Sequence, residues 1–306
     1  MTQPAEMARE PASQGPAGLA FGGPPLIDEP EVLVRAGPDE VSDLAARRIV
    51  DRLAAAVAEH GRADIATTGG STPIGIYDVI SSSLRSALDW SLVHFWWGDD
   101  RFVPRDHPLS NVQAADSILF AMSQFAGQSG NLLDGSDVEA GLEPGLIVPA
   151  ANVHPFPCAE AIAHARGPEW CAQRYEEELR SAPLRVVRGF PVFDVILLGL
   201  GPDGHLMSVF PGSEAFDRTD WALPIPAPTH VEPHVPRVTL NPAVLGVARS
   251  VLMVTTGESK ADVVARIFSE PRDARQLPAQ LVRNRAATWM LDEAAAAKLP
   301  PTVKRT

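Results

Sequence analysis

His205 closes the segment Gly199-Leu200-Gly201-Pro202-Asp203-Gly204-His205, which follows the most apolar run of the chain, Phe193-Asp-Val-Ile-Leu-Leu-Gly. An imidazole at the mouth of a buried strand titrates near neutrality and can act as a general base. A second segment, Trp97-Gly98-Asp99-Asp100-Arg101-Phe102-Val103-Pro104, sets two carboxylates and a guanidinium just after the strand-like Leu92–Trp97. Arg101 is suited to grip a phosphate or carboxylate through two parallel hydrogen bonds. The plainer alternative for this trio is a surface ion pair, which contributes little.

The third segment is Thr68-Gly69-Gly70-Ser71-Thr72-Pro73, between a strand-like and a helix-like stretch. Gly69 and Gly70 let the backbone approach a ligand closely, Ser71 or Thr72 suits a helix N-cap, and Pro73 suits the first helical position. Free N–H groups and the positive helix end then form an anion site. A capped tight turn would use the same residues. Arg237-Val-Thr-Leu can bring a cation near these loops, and Lys260, in Thr256-Gly257-Glu258-Ser259-Lys260, either reaches a phosphate or sits solvated on its helix.

Other residues carry plainer expectations. His230 and His234 sit four apart, but Pro233 lies between them, which argues against a helical metal pair. No metal site is expected. His60, His94, His107, His154 and His164 are scattered, and surface or core roles suffice for them. Cys158 and Cys171 have no metal-ligand spacing and read as packing residues of a reducing compartment.

Alternating elements must position the three segments. Strands are expected at Glu31–Arg35, Ala63–Thr67, Leu92–Trp97, Phe193–Gly199 and Ser250–Thr255, with helices over 39–60, 74–88, 111–126, 159–181 and 258–269. In the first helix Val41, Leu44, Ile49, Leu53 and Val57 recur at three- to five-residue steps. This alternation predicts an α/β fold, a doubly wound, mostly parallel sheet with helices on both faces. In such sheets ligands bind at the carboxyl ends of strands, where all three segments fall. Residues 1–30 form a Pro/Gly-rich tail, with 1–25 expected to be mobile, and 127–150 reads as a long loop. Residues 31–306 are expected to form a single domain.

The formal net charge of -12 argues against a nucleic-acid binder and requires local cations to draw in an anionic substrate. No apolar run is long enough for a membrane span, and the N-terminus lacks a signal-peptide core. The expectation is a cytoplasmic protein with a small-molecule partner, no nucleic acid and no membrane. A monomer and a homodimer both stay open.

Taken together, GGSTP at 69–73, WGDDRFVP at 97–104, HPLSN at 107–111, DVILLGLGPDGH at 194–205, SVFPG at 208–212, RVTL at 237–240, TGESKADVV at 256–264 and WMLDEAAAAKL at 289–299 resemble the 6-phosphogluconolactonase family, in that family's order, over roughly residues 31–300. The resemblance implies a Rossmann-like sheet shared with glucosamine-6-phosphate deaminase and ribose-5-phosphate isomerase, and no obligate cofactor. It further implies hydrolysis of 6-phospho-D-glucono-1,5-lactone to 6-phosphogluconate in the oxidative pentose phosphate pathway. His205 would activate a water against the lactone carbonyl, and Asp203 or Asp99 would orient His205 or the sugar hydroxyls. Arg101 or backbone N–H groups of 199–205 would stabilise the oxyanion. Gly69, Gly70, Ser71, Thr72 and Arg237, with Lys260, would hold the 6-phosphate.

Three alternatives remain: a deaminase-like isomerase, a non-catalytic phosphosugar-binding regulator, and a degenerate lactonase that binds without turnover, which Glu232 keeps open. Deaminases carry an Asp-x-His followed five residues later by Glu; Asp203 and His205 match, but the fifth residue is Phe210. Deaminases also have an aromatic residue, typically Tyr, where this chain has Arg101. A non-catalytic phosphosugar-binding regulator would carry an N-terminal helix-turn-helix, and the first 30 residues do not suit one. The chain departs from the lactonase pattern at Asp100, where Glu is usual, and at Glu232, five residues before Arg237, where the family usually has a lysine assigned to the substrate phosphate.

Overall fold

The computed structural model describes residues 29–120 and 146–306. The tail expected over 1–25 and most of the loop expected over 127–150 lie outside the described residues.

Strands are numbered along the chain. The central sheet runs β1 (Glu31–Arg35), β12 (Ala287–Asp292), β11 (Val251–Thr255), β8 (Val195–Leu198), β2 (Ala63–Thr67), β3 (Val93–Trp97) and β5 (Val153–His154), and every neighbouring pair is parallel. Every residue of β2, β8, β11 and β12 is buried, so these strands are covered on both faces, which explains their near-continuous apolar sequence. The first helix, α1 (Pro38–His60), buries Val41, Ala45, Ile49, Leu53 and Ala56 at three- to four-residue spacing. It ends at Gly61, whose φ of 78° lets its N–H close back on the Val57 carbonyl at 2.8 Å. The sheet is the doubly wound α/β arrangement read from the sequence.

The strand order reverses between β2 and β8. From β2 the chain moves outward to β3 and β5, and from β8 it moves the other way to β11 and β12. The crevice at such a reversal is where open α/β sheets bind ligands. The Gly69 loop leaves β2 and the His205 loop leaves β8, so both open onto it.

A small antiparallel sheet caps this end. Gly98 alone separates β3 from β4 (Asp99–Arg101), which pairs with β10 (Arg237–Leu240), itself paired with β9 (Ala222–Ile225). The Gly98 N–H donates to the Thr67 carbonyl at 2.8 Å, and its own carbonyl accepts from Leu240 N–H at 2.8 Å, so this glycine stitches the two sheets together. A short hairpin, β6 (Val186–Val187) and β7 (Phe190–Pro191), completes the strands.

Several sequence expectations are corrected. The 99–101 segment, read as a loop, is a strand. The helix expected over 159–181 is two, α4 (Cys158–Ala163) and α5 (Pro168–Ser181). Pro168 takes the first position of α5 and holds Gly167 extended, so no helix can run through it. The second helix, α2 (Thr72–Val79), passes into a wider turn at Ile80–Leu84. Within the described part of 111–126 the helix is α3 (Gln113–Ile118). Residues 258–260 form a tight 3-10 turn ahead of α6 (Ala261–Ser269). Strands β9, β10 and β12 were not expected as strands. No helix among the described residues is long and apolar enough to cross a membrane.

Candidate active site

A cavity of about 270 Å³ opens at the β2/β8 reversal, lined by the Gly69–Thr72 loop, the β4/β10 edge, the Gly199–His205 loop and the end of β11.

Gly69 and Gly70 are glycines for different reasons. A Cβ at 69 would lie 2.0 Å from Oδ1 of Asn111, while Gly70 has φ 77°. Ser71 occupies the N-cap position of α2 but makes no capping hydrogen bond. The loop's position is as expected, and the capping bond is not made. Across the crevice, a Cβ at Gly199 would meet Thr72 Oγ1 at 3.0 Å, so the β2 and β8 loops are in contact.

The turn after β8 wraps tightly enough for Asp203 and His205 to bond despite their closeness in sequence. His205 Nδ1 lies 2.5 Å from Asp203 Oδ1, which also accepts from the His205 backbone N–H at 3.1 Å. The other oxygen, Oδ2, lies 2.9 Å from Nε2 of His230. Burial alone would raise the Asp203 carboxyl. The hydrogen bond and charge of His205, its backbone N–H and His230 outweigh this and hold it well below the usual carboxylate range. An ionised carboxylate only accepts, so His205 donates through Nδ1 and keeps Nε2 as an unprotonated acceptor in the neutral ring. Phe210 packs against this imidazole, with ring centroids 4.6 Å apart.

On the small sheet, Arg101 and Arg237 are direct cross-strand partners. Arg101 Nη1 donates to the Leu109 carbonyl at 2.9 Å and Arg237 Nη2 to the Pro233 carbonyl at 3.1 Å. The Nε of each is buried without a hydrogen-bond partner among the described residues. Like charges facing each other across a strand pair are destabilising, and buried unpaired donors add to the penalty. Asn111 Oδ1 and Thr255 Oγ1, from two further lining residues, are also buried and have no partner among the described residues. Such orphaned groups fit a site shaped for a polar, anionic ligand.

Asp99 is buried beneath them and accepts from Ser208 Oγ at 2.6 Å and Asn111 Nδ2 at 3.2 Å. Lys260 Nζ donates to the Leu200 carbonyl at 2.7 Å; burial lowers its pKa, opposed by the charge of Asp203. Its half-buried ammonium therefore stands at the cavity wall. Glu232 lines the same cavity, with its carboxylate 3.1 Å from His234 Nε2.

The family described as "Glucosamine-6-phosphate isomerases/6-phosphogluconolactonase" matches residues 36–291. The chain belongs to this family. A 6-phosphogluconolactonase of Synechocystis is 35% identical over 254 residues, covering 83% of this chain and 91% of the relative. One of Streptomyces coelicolor is 33% identical over 285 residues, covering 90% and 97%. Among solved structures, the 6-phosphogluconolactonase from Trypanosoma brucei superposes with a TM-score of 0.71 at 30% identity, covering 89% of this chain and all of that one. A monomeric glucosamine-6-phosphate deaminase, at 18% identity and TM-score 0.62, shares the fold.

The structure brings Gly69, Gly70, Ser71, Thr72, Asp99, Arg101, His205, Arg237 and Lys260 to one cavity. Asp203 stands behind His205, outside the lining. Sequence reasoning missed Asn111 as a lining residue, although it closes the quoted HPLSN stretch, and it missed Thr255 and Met207. Met207 has φ 52°, in a tight turn where Leu206 and Val209 bridge, and this strain was not readable from the sequence. No cluster of metal-ligating side chains exists among the described residues.

Proposed function

We propose that the chain hydrolyses 6-phospho-D-glucono-1,5-lactone to 6-phosphogluconate, the hydrolytic step of the oxidative pentose phosphate pathway. The observation that carries this reading is the pairing, in one cavity, of an aspartate-backed histidine with two cross-strand arginines whose Nε groups lack partners among the described residues. The former suits activation of water, and the latter an anionic sugar. The curated relatives named 6-phosphogluconolactonase support the same substrate.

A lactone is an activated ester, so water can attack it without a covalent intermediate. Nε2 of His205 takes the proton of that water as it adds to C1, a contribution of about 10²–10⁴-fold for a positioned base. Asp203 holds the ring in this tautomer and stabilises the imidazolium that forms. Arg101 or N–H groups of the 199–205 loop stabilise the oxyanion. When the intermediate collapses, the C1–O5 bond breaks and the imidazolium returns its proton to the ring oxygen. The Gly69–Thr72 loop, Arg237 and Lys260 anchor the 6-phosphate, which fixes the carbonyl against the water.

Phe210 weighs against the deaminase alternative. A buried phenyl ring against His205 offers no proton to an amino sugar. Incubation with glucosamine 6-phosphate is expected to release no ammonia. The reaction needs only a soluble metabolite, and the free thiols of Cys158 and Cys171, 3.5 Å apart, suit a reducing cytoplasm.

The deciding experiment generates the lactone in situ from glucose 6-phosphate and a dehydrogenase, then follows its decay at mildly acidic pH, where spontaneous hydrolysis is slow. Acceleration by the wild type, lost in His205→Ala, is expected. Decay at the background rate with the wild type would overturn the reading.

A further inference from the structure

Beyond the Asp203–His205 pair stands a second imidazole that the mechanism above does not use. His230 lies on the strap 226–236, which crosses between β9 and β10 and carries prolines at 226, 228, 233 and 236. The strap is braced by several hydrogen bonds, among them Phe102 N–H donating to the Pro236 carbonyl at 2.8 Å. His234 Nδ1 donates to the Pro228 carbonyl at 2.7 Å, and Arg237 Nη2 donates to the Pro233 carbonyl at 3.1 Å. These contacts hold His230 over the His205 loop, where its Nε2 lies 2.9 Å from Asp203 Oδ2. Phe210 stands between the two imidazoles, 4.6 Å from the His205 ring centroid and 5.8 Å from that of His230.

We propose that His230 is a positioning residue for hydrolysis, acting through Asp203: its Nε2–H pins the second carboxylate oxygen and so fixes the plane in which the first oxygen meets His205.

The torsion that turns an aspartate carboxylate is soft and roughly two-fold, so a carboxylate held through one oxygen can swing away from its partner. Asp203 Oδ1 is engaged by the ring and the backbone N–H of His205. Oδ2 is engaged only by His230 among the described residues. Lys260 and Arg237 act on Asp203 through their charge, without a bond that would orient it. Because the Asp203 oxygens only accept, His230 must present Nε2–H, and the neutral ring suffices. The inference rests on the lactonase reading with His205 as base, and its test must separate the two.

His230→Leu removes the donor, and His230→Gln keeps a side-chain N–H. With the in situ lactone, the Leu variant is expected to lose about tenfold in kcat, as for one lost hydrogen bond felt in the transition state. Its KM should stay within about twofold of wild type, and the Gln variant should recover kcat to within about threefold. In an Asp203→Asn background the Leu change should have little further effect, because residues acting through one group are non-additive. The second readout needs no substrate. The proton in the short Asp203–His205 bond should give a strongly deshielded NMR resonance, identified by its loss in His205→Gln. That resonance should persist in His230→Gln and shift or broaden away in His230→Leu. An unchanged resonance in the Leu variant, or equal loss of kcat in Leu and Gln, overturns the proposal. If the wild type does not hydrolyse the lactone, the lactonase reading fails, while the resonance comparison still decides the part played by His230.

Discussion

The imidazole of His205 occupies the space a side chain at position 201 would need: a Cβ on Gly201 would lie 2.1 Å from His205 Nδ1 and 2.2 Å from Cε1. The Gly201 N–H also donates to the His205 carbonyl at 2.9 Å, which closes the turn around that ring. Gly201→Ala therefore cannot be accommodated without moving the ring away from Asp203. The expected result is a kcat about 100-fold lower, the scale of a misplacement near 1 Å, with overpacking costing about 1–3 kcal/mol of stability. Steady-state kinetics and urea denaturation measure the two effects. Near-wild-type kcat would mean that the position of His205 does not govern the reaction.

Arg101 and Arg237 face each other across β4 and β10, and Arg237 is 2% exposed. Burial and the charge of Arg101 disfavour its protonated form, opposed by Asp99 and Asp203. On the proposed reading, a bound phosphosugar supplies the missing countercharge. 6-Phosphogluconate should therefore raise the Tm of the wild type, and less so as ionic strength increases. Arg237→Met removes the Arg101 repulsion together with the Pro233 hydrogen bond and the attraction of Asp99 and Asp203, so its ligand-free Tm should stay within about 5 °C of wild type. It should lose most of the ligand response, with KM raised about 10–100-fold. Thermal shift assays at low and high salt check both halves. An undiminished ligand response in the variant would remove Arg237 from the substrate site.

Much of this arrangement was legible in the sequence because it rests on local signals. The apolar run Val195–Leu198 could only be a covered strand, and Gly69, Gly199, Gly201 and Gly204 mark loops pressed close to other groups. What was not legible depends on pairing at a distance. The register that sets Arg101 opposite Arg237 joins positions far apart in the chain, so their mutual repulsion was invisible. His230 was set aside because Pro233 ruled out one helical role, but the strap brings it to Asp203 without a helix. Strand β12 was not expected from Trp289-Met-Leu-Asp, and its parallel pairing with β1 and β11 is what makes it a strand.

Glu232 places a negative charge on the cavity wall, at the position where the family resemblance leads to the expectation of a lysine, and its side chain is 81% exposed. Its contact with His234 is an exposed pair that contributes little to stability. Glu232→Lys should therefore leave the Tm nearly unchanged while replacing repulsion of the substrate phosphate by attraction. Solvent screening limits the gain, so KM should fall about three- to tenfold with kcat little altered, and the gain should shrink in high salt. Lactone kinetics at two ionic strengths test this. A raised KM would show that Glu232 contacts a sugar hydroxyl and not the phosphate.

Asp100 shares its strand with Asp99 and Arg101 but is 2% exposed. Burial pushes its carboxyl up to about 7; the Asn111 backbone N–H opposes this and the charge of Asp99 adds to it. The ordinary value is 3.8, so between that pH and about 7 the folded protein holds a proton that the unfolded chain releases. The resulting stabilisation is fully present below 3.8 and is lost as pH rises through about 7. Asp203 acts with the opposite sign in a lower window: its depressed carboxyl stabilises the fold fully above 3.8, and this is lost progressively as the pH falls from there through its depressed folded value. Asp100→Asn isolates the first effect. Its amide oxygen can still accept from the N–H groups of Arg101 and Asn111, which lie 2.8 and 2.7 Å from Asp100 Oδ1, and its NH₂ can face Ser110 Oγ. Urea denaturation between pH 4 and 8 should show the wild type losing stability relative to this variant as pH rises. Parallel pH profiles for the two proteins would mean that Asp100 is ionised throughout the range.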